Sequence, residues 1–172
     1  MELLDVYDDN GVKTGKVVPR GSGDEMFEPH EHIAVSIIFI ENSKGEFLIQ
    51  RTAKNKGDVY SSTGGHIDSG ETPYSTIIRE VKEELGLDIS NDNVIDLGFR
   101  LFDFPLRYLF YLKKDIKEEE LNVQKSEVKY AKFMSVNEIN NIINKKQMNS
   151  GHATLFKEII SLKKGHKIWK RK

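Results

Sequence analysis

The sequence predicts an α/β (α+β) fold in which a mixed β-sheet lies between layers of helices, an α/β/α sandwich. Short apolar segments of strand length alternate with two or three segments of helical periodicity, which is the pattern of a sheet covered by helices. The chain has 172 residues, of which 38% are hydrophobic, enough for the core of a single domain. We therefore expect one domain over residues 1–172, with an N-terminal β-hairpin over residues 1–20 and a basic tail over residues 163–172.

The predicted strands are short apolar segments bounded by turn residues. The opening hairpin joins residues 2–7 to residues 15–19 through the turn at residues 8–11. Residues 32–40 are β-branched and almost continuously apolar, as expected for a strand buried on both faces, and we expect them to pair with residues 46–50. The remaining predicted strands cover residues 94–104, 106–112 and 128–134.

One helix is defined by signals at both of its ends. Thr72 is suited to the N-cap and Pro73 to the first helical turn, while Gly86 is suited to the left-handed residue that ends a helix. Its apolar stripe, repeating every four residues, consists of Ile77, Val81 and Leu85. The predicted helices cover residues 73–85, 135–144 and 153–163.

Composition excludes several classes of site and location. With 26 basic and 27 acidic residues the net charge is −1, so there is no overall positive field for nucleic acid, and only the basic tail leaves RNA contact open. The absence of cysteine excludes disulfides, thiolate metal sites and cysteine nucleophiles. No apolar segment approaches the roughly 18 residues of a membrane span, and the N-terminus lacks a signal-peptide layout. We expect a cytoplasmic protein without membrane contact, and a homodimer is left open.

Three glutamates on the helix at residues 73–85 carry the clearest chemistry. Glu80, Glu83 and Glu84 are spaced i, i+3 and i+4, so their carboxylates project from one side of the helix. Like charges at this spacing cost roughly 0.2–0.5 kcal/mol per pair, a cost that a helix serving only solubility would avoid by alternating its signs. Clustered carboxylate oxygens suit a hard cation such as Mg²⁺, which shares oxygen ligands with phosphates. Taken alone, the three glutamates also fit an ordinary acidic surface helix.

The spacing around these glutamates separates the two interpretations. Gly65 is followed after five residues by Glu71, and Arg79 follows after seven more, opening the run Arg-Glu-Val-Lys-Glu-Glu-Leu-Gly-Leu over residues 79–87. From average residue usage, such a pattern arises by chance at about 10⁻⁹ per starting position. The pattern resembles the Nudix box with every defined position filled, and the strand order and length extend the resemblance over most of the chain.

The resemblance to the Nudix hydrolase superfamily implies a Nudix-like sandwich and the hydrolysis of a small-molecule diphosphate, such as a nucleoside diphosphate linked to another moiety. It implies Mg²⁺, with Mn²⁺ as a substitute. Glu83 and Glu84 would be the principal metal ligands, and Glu80 would be a further ligand or the base that accepts the proton of water. Glu71 and Arg79 would be structural.

The resemblance also implies contributions from outside the helix. Gly65 would lend its backbone carbonyl to the metal or simply its shape. A further ligand or base would come from a later loop, and Glu127 is favoured because it stands just before a predicted strand. The candidates left open are Glu118, Glu119, Glu120 and Glu127.

Three basic residues before the box are candidates for contact with phosphates, although a solvated basic loop explains them equally well. These candidate substrate-binding residues are Arg51, Lys54 and Lys56.

The residues flanking the box resemble the branch that includes isopentenyl diphosphate isomerase. The resemblance rests on residues 5–11, 32–36 and 64–66. It implies that His32 and His66 are metal ligands, whereas polar or core histidines are the simpler interpretation.

The isomerase reaction itself is disfavoured. Its catalytic cysteine would fall at Gly64, and the chain has no cysteine, so the acid–base group that protonates the alkene is missing. Two alternatives to the hydrolase remain: an isomerase-like enzyme acting on a prenyl diphosphate, and a non-catalytic module that binds a ligand. The complete set of box carboxylates favours the hydrolase over the module.

Overall fold

The structure, a computed structural model, describes residues 1–165. Its strands are β1 (Leu3–Tyr7), β2 (Lys13–Pro19), β3 (Ala34–Glu41), β4 (Phe47–Thr52), β5 (Tyr60–Ser61), β6 (Thr63–His66), β7 (Ile95–Arg100), β8 (Leu106–Lys113) and β9 (Val128–Met134). Its α-helices are α1 (Pro73–Leu85), α2 (Val136–Asn144) and α3 (Ser150–Lys164). The helix predicted over residues 73–85 is confirmed, and the last helix begins three residues earlier than residues 153–163 predicted.

The strands form two sheets, and the larger sheet is mixed. β1 and β2 pair antiparallel, while the other seven strands follow the path β5-β4-β3-β8-β7, with β6 added to β3 and β9 added to β4. The central pair, β3 and β8, is parallel over eight positions, whereas the other pairs of this sheet are antiparallel. The predicted mixed sheet is confirmed.

The predicted pairing of residues 32–40 with residues 46–50 is wrong for most of its length. β3 and β4 pair only beside their turn, at Glu41 and Phe47. Farther along, β3 pairs with β6, and β4 pairs with β5 and β9. Sequence did not predict β6, because its Gly64 and Gly65 are poor strand formers. The two diverging strands supply the floor of the cleft described below.

Helices cover both faces of the larger sheet, because β3 alternates its apolar side chains. Ile38 and Ile40 pack with the apolar stripe of α1. Ile37 and Phe39 pack on the opposite face with residues of α2 and α3. Burial of both faces explains why the sequence of β3 is almost continuously apolar, and it confirms the predicted α/β/α sandwich.

The helix α1 is fixed at both ends. The hydroxyl of Thr72 accepts from the backbone N–H of Ser75 at 3.0 Å, and the hydroxyl of Ser75 accepts from the backbone N–H of Thr72 at 2.9 Å, which satisfies two donors that a helix start leaves open. Gly86 ends the helix with a φ of 72°, a left-handed conformation that glycine adopts without strain. The glutamates of α1 are therefore presented from a rigid element.

The hairpin of β1 and β2 is fastened to the loop before α1. The carboxylate of Asp5 accepts from the hydroxyl of Ser69 at 2.9 Å and from the backbone N–H of Gly70 at 3.0 Å. The backbone N–H of Ser69 also donates to the carbonyl of Leu3 at 2.7 Å. These contacts hold the hairpin against the first part of the box.

The predicted basic tail begins inside the last helix. Lys163 and Lys164 belong to the last turn of α3, and Lys163 forms an ion pair with the buried Glu41. Residues 166–172 of the predicted basic tail lie outside the described residues, and the division into one domain, a hairpin and a tail stays a prediction. Within residues 1–165, no helix has both the length and the apolar character needed to cross a membrane.

Candidate active site

A cleft of about 530 Å³ lies where β3 and β4 diverge. One wall consists of α1 and β6, which carry the box, and we call it the box wall. The opposite wall, which we call the α3 wall, is formed by Ser62, Arg107, Asn149 and His152. The floor of the cleft is formed by Val35 and Ile37 of β3 and by Gln50 and Thr52 of β4.

The three predicted glutamates all line the cleft on the box wall. Glu84 is buried, with 9% of its surface exposed, and the amide of Gln50 donates to it at 3.0 Å. Burial raises the pKa of Glu84 to about 7 and also raises the pKa of Glu80. Half of the Glu83 side chain is exposed. The box wall therefore holds negative charge that is costly to bury, which a bound cation would relieve.

Arg79 is the hub of the box wall. Its Nε and Nη2 donate to the two oxygens of Glu71 at 2.8 and 2.9 Å. Its Nη1 donates to Glu80 at 2.8 Å and to Glu83 at 3.2 Å. The bidentate bond to Glu71 ties the loop before α1 to the helix, as the family resemblance implies for both residues. Their assignment to a structural role stays a prediction.

Two adjacent glycines of β6 allow close packing in the cleft. A Cβ on Gly65 would lie 2.1 Å from the Oε1 of Glu80, so the carboxylate rests directly over the backbone of β6. A Cβ on Gly64 would lie 2.3 Å from the backbone carbonyl of Ser36 on β3. Position 65 therefore makes room for a carboxylate, while position 64 makes room for a neighbouring strand.

The chemistry of the box wall fits a divalent cation. Carboxylate oxygens beside a glycine backbone are hard-oxygen donors of the kind that Mg²⁺ takes, and their burial is unfavourable without a counter-charge. Among residues 1–165, no three acidic or histidine side chains already converge as a ligand set. One oxygen of Glu80 and one of Glu83 instead accept from the Nη1 of Arg79.

The structure brings only some of the other predicted residues to the cleft. Lys56 and Glu127 line it and form an ion pair at 2.9 Å. Arg51 pairs with Asp58 at 2.8 Å and stacks over Tyr60. Neither Arg51 nor Lys54 lines the cleft, and Glu118, Glu119 and Glu120 form a short 3₁₀ turn away from it. Glu127 is thus the candidate base or ligand that the fold places at the site.

The two histidines of the branch resemblance lie in different settings. His66 lines the cleft, and burial lowers its pKa to about 4, so it is neutral at neutral pH. The Nε2 of His32 contacts the carboxylate of Asp9 at 2.6 Å. No metal-ligand group within residues 1–165 includes either histidine. The buried Nδ1 of His32 has no hydrogen-bond partner among these residues, and the role of both histidines stays a prediction.

Sequence reasoning missed the α3 wall and the residues that the hairpin contributes. Glu2 and Arg20 of the hairpin line the cleft and pair at 2.5 Å. On the α3 wall, the backbone N–H of Ser62 donates to the Nδ1 of His152 at 3.2 Å, and burial lowers the pKa of His152 to about 4. These residues are far apart in the chain and match no local motif, so only the fold assembles them.

Comparison with known proteins agrees with this geometry. Residues 30–159 match the NUDIX domain, a span that contains the whole box. An uncharacterized Nudix hydrolase of Listeria monocytogenes is 32% identical over 149 residues, covering 81% of this chain and 83% of the relative. In its fold the chain is similar to DR0079 of Deinococcus radiodurans, with a TM-score of 0.75, 18% identity and coverage of 91% of this chain and 98% of that chain.

A further solved structure is a bifunctional NMN adenylyltransferase/ADP ribose pyrophosphatase of Francisella tularensis, complexed with AMP and a manganese ion. Its TM-score is 0.59 at 20% identity, and the match covers 78% of this chain and 42% of that chain. At this identity the likeness concerns the fold alone. The matched domain, the Listeria relative and the complete box on one wall of a cleft show that the chain belongs to the Nudix family and is a pyrophosphohydrolase by class.

Proposed function

We propose that this protein is a Mg²⁺-dependent hydrolase, able to use Mn²⁺, that cleaves the diphosphate linkage of a nucleoside diphosphate derivative or a related small metabolite. The observation that carries the proposal is the placement of Glu80, Glu83 and Glu84 together on the box wall of a single cleft. The Francisella tularensis protein of similar fold was complexed with AMP and a manganese ion, which makes nucleotides and Mn²⁺ natural choices for the test.

The three glutamates would divide the work according to their surroundings. Glu83 and Glu84 would hold the cation, which when bound neutralises phosphate charge and lowers the pKa of water. Glu80 is largely buried and its pKa is raised, so it is suited to accept a proton from the attacking water. Glu127, which faces the same cleft, is the further ligand or base. Arg79 would hold Glu80 and Glu83 in place through its Nη1.

Basic residues in the cleft would meet the phosphates. Arg20, Lys56 and Arg107 line it from three separate segments of the chain, and charge-assisted bonds from such groups orient phosphate oxygens. Arg51 and Lys54, which lie outside the cleft, are no longer needed for this role.

The test is a screen of nucleotides, nucleotide sugars, dinucleoside polyphosphates and prenyl diphosphates with Mg²⁺, with products identified. In Glu83→Gln and Glu84→Gln we expect turnover to fall by roughly 10²-fold or more, because each removes a charged ligand but keeps the side-chain shape. Glu119→Gln, at an exposed position outside the cleft, is the matched control. Unchanged turnover in both box variants would refute the assignment.

An isomerase-like enzyme acting on a prenyl diphosphate is the second candidate. The position of its cysteine is Gly64, where even a Cβ would meet the carbonyl of Ser36, so the strand pairing of β6 argues against a reactive side chain there. Formation of an allylic product from isopentenyl diphosphate would overturn this ranking.

A non-catalytic ligand-binding module is the third candidate. It would bind one diphosphate of the panel tightly and consume none with Mg²⁺ or Mn²⁺. A cytoplasmic location, a homodimer and the lack of nucleic acid binding stay predictions.

A further inference from the structure

Arg107 differs from the other basic residues of the cleft in lacking an acidic partner. The remaining cations of the cleft each have one: Arg20 pairs with Glu2, Lys56 with Glu127 and Arg79 with Glu71. Within the part of the chain that the structure describes, no carboxylate oxygen lies within 4.0 Å of the guanidinium of Arg107. Arg107 therefore brings to the cleft a positive charge that no carboxylate contacts directly.

The fold holds the Arg107 side chain in place without neutralising it. Its Nη1 donates to the carbonyls of Phe102 at 2.6 Å and Pro105 at 2.9 Å, and its Cζ lies 4.4 Å from the ring centre of Phe102. A Cβ on Gly151 would lie 2.8 Å from its Nε and 3.2 Å from its Nη2. Glycine at the start of α3 thus leaves the space that the guanidinium occupies.

The positive charge of Arg107 is balanced only in part by its surroundings. The N-terminus of α3 carries partial positive charge. Burial lowers the pKa of Arg107, and Asp103 opposes this only in part. The residue paired with Arg107 across β7 and β8 is Arg100, whose charge is paired with Glu158, so this neighbour supplies no negative charge to Arg107.

The rest of the α3 wall adds no negative charge. The Nδ1 of His152 accepts from the backbone N–H of Ser62, so the proton of the neutral ring sits on Nε2. His152 is neutral at neutral pH because burial lowers its pKa to about 4. The wall thus offers a cation and neutral groups, which together favour an anionic ligand.

We propose that Arg107 binds an oxyanion of the substrate, a phosphate or carboxylate group, at the α3 wall, and thereby determines which diphosphate compounds the enzyme accepts. The inference rests on the proposed hydrolase function. Val35 of β3 pairs with Arg107 on one side and with His66 on the other, so two strand spacings, roughly 10 Å, separate the backbone of Arg107 from that of the box strand. The guanidinium of Arg107 lies against Gly151 of α3, so in this proposal the oxyanion is a different group from the phosphate at the box.

Equilibrium binding without catalysis tests the proposal. We would measure dissociation constants of inorganic pyrophosphate and of succinate for the full chain in EDTA, where the box holds no cation. Arg107→Gln is expected to weaken binding of the preferred oxyanion roughly tenfold or more, since a charge-assisted bond is lost. Preference for pyrophosphate identifies a phosphate group, and preference for succinate identifies a carboxylate.

Arg100→Gln is the matched control. Arg100 stands opposite Arg107 on the next strand, is neutralised by Glu158 at 2.5 Å and does not line the cleft. Its loss should change the dissociation constant by about twofold at most, as expected for a screened surface charge. Equal weakening in both variants would show a general field effect and overturn the proposal, as would unchanged binding in Arg107→Gln.

A measurement on the unaltered protein covers the case in which Arg107→Gln does not fold. The guanidinium N–H resonances of Arg107 and Arg100 would be followed by NMR during the same titrations. Movement of the Arg107 signal alone supports the proposal, and a static Arg107 signal overturns it. These experiments need neither Mg²⁺ nor turnover. A failure of the proposed hydrolysis can therefore be told apart from a failure of Arg107 to bind an oxyanion.

Discussion

The two walls of the cleft carry opposite imbalances of charge. On the box wall, Arg79 contacts the carboxylates of Glu71, Glu80 and Glu83, and burial raises the pKa of Glu80 and of Glu84 on the same wall. On the α3 wall, Arg107 has no acidic partner among the described residues, and His152 is neutral. The ligands that we propose, a cation at the box and an oxyanion at the α3 wall, would each offset one of these imbalances.

The largest expected loss of turnover on the box wall comes from adding a methyl group at Gly65. In Gly65→Ala the new Cβ would displace the Glu80 carboxylate, whose Oε1 lies 2.1 Å away. Turnover should fall about 10²-fold, as expected when a catalytic group shifts by about an ångström. The flexible end of Glu80 can move aside, so stability should change by less than about 1 kcal/mol. Steady-state kinetics with Mg²⁺ and urea unfolding would measure the two effects separately.

Gly64→Ala is the matched contrast, because the new Cβ would meet backbone instead of a side chain. The obstacle is the carbonyl of Ser36 on β3, at 2.3 Å, which cannot move without disturbing the strand pairing. We expect the free energy of unfolding to fall by roughly 1–3 kcal/mol or more. If Gly65→Ala were the less stable of the two and kept full turnover, the close approach of Glu80 to β6 would have no catalytic importance.

The two walls also differ in what the sequence reveals. The box lies within residues 65–87, where helix periodicity and fixed spacing are enough to place its glutamates on one face. The α3 wall joins Ser62, Arg107 and His152, which the parallel pairing of β3 with β8 and the docking of α3 bring together. Local patterns carry no information about such contacts.

The difference between local and long-range contacts also explains which parts of the fold the sequence predicts. The helix at residues 73–85 was predicted to the residue, because Thr72 and Gly86 mark its ends through local chemistry. The divergence of β3 from β4 was missed, since alternation of apolar residues shows that a strand is buried and does not show its neighbour. Arg51, Lys54 and Lys56 are all basic, so the sequence cannot rank them as ligands of phosphate. The 3₁₀ turn at Lys54–Lys56 decides that only Lys56 reaches the cleft.

His152 gives a pH-dependent test of the neutral α3 wall. Its pKa falls from 6.5 to about 4 on folding, so the unfolded chain binds more protons than the folded chain between these values. The free energy of unfolding should therefore hold its full His152 contribution above pH 6.5. It should decrease as the pH falls towards 4, by roughly 3 kcal/mol at most. His152→Asn should flatten this part of the stability profile, measured by urea unfolding across the range.

His66 provides the internal reference for that profile. Its pKa is also about 4, and its acid-dependent loss of stability should remain in His152→Asn. An unchanged slope in the variant would mean that His152 becomes protonated without cost and that the α3 wall tolerates a second positive charge beside Arg107.

The smallest expected effect concerns the edge of the cleft, where Lys56 pairs with Glu127. Both side chains are about one third exposed, so the pair itself contributes little, on the order of 0.2–1 kcal/mol. Lys56→Ala should nevertheless raise the KM a few-fold, because it removes a cleft charge that we propose meets the substrate phosphates and leaves Glu127 uncompensated. Lys54→Ala, two positions away and outside the cleft, should leave the KM unchanged. Equal effects of the two substitutions would show that the net charge near the cleft sets the KM. The specific position of Lys56 in the cleft would then have no influence.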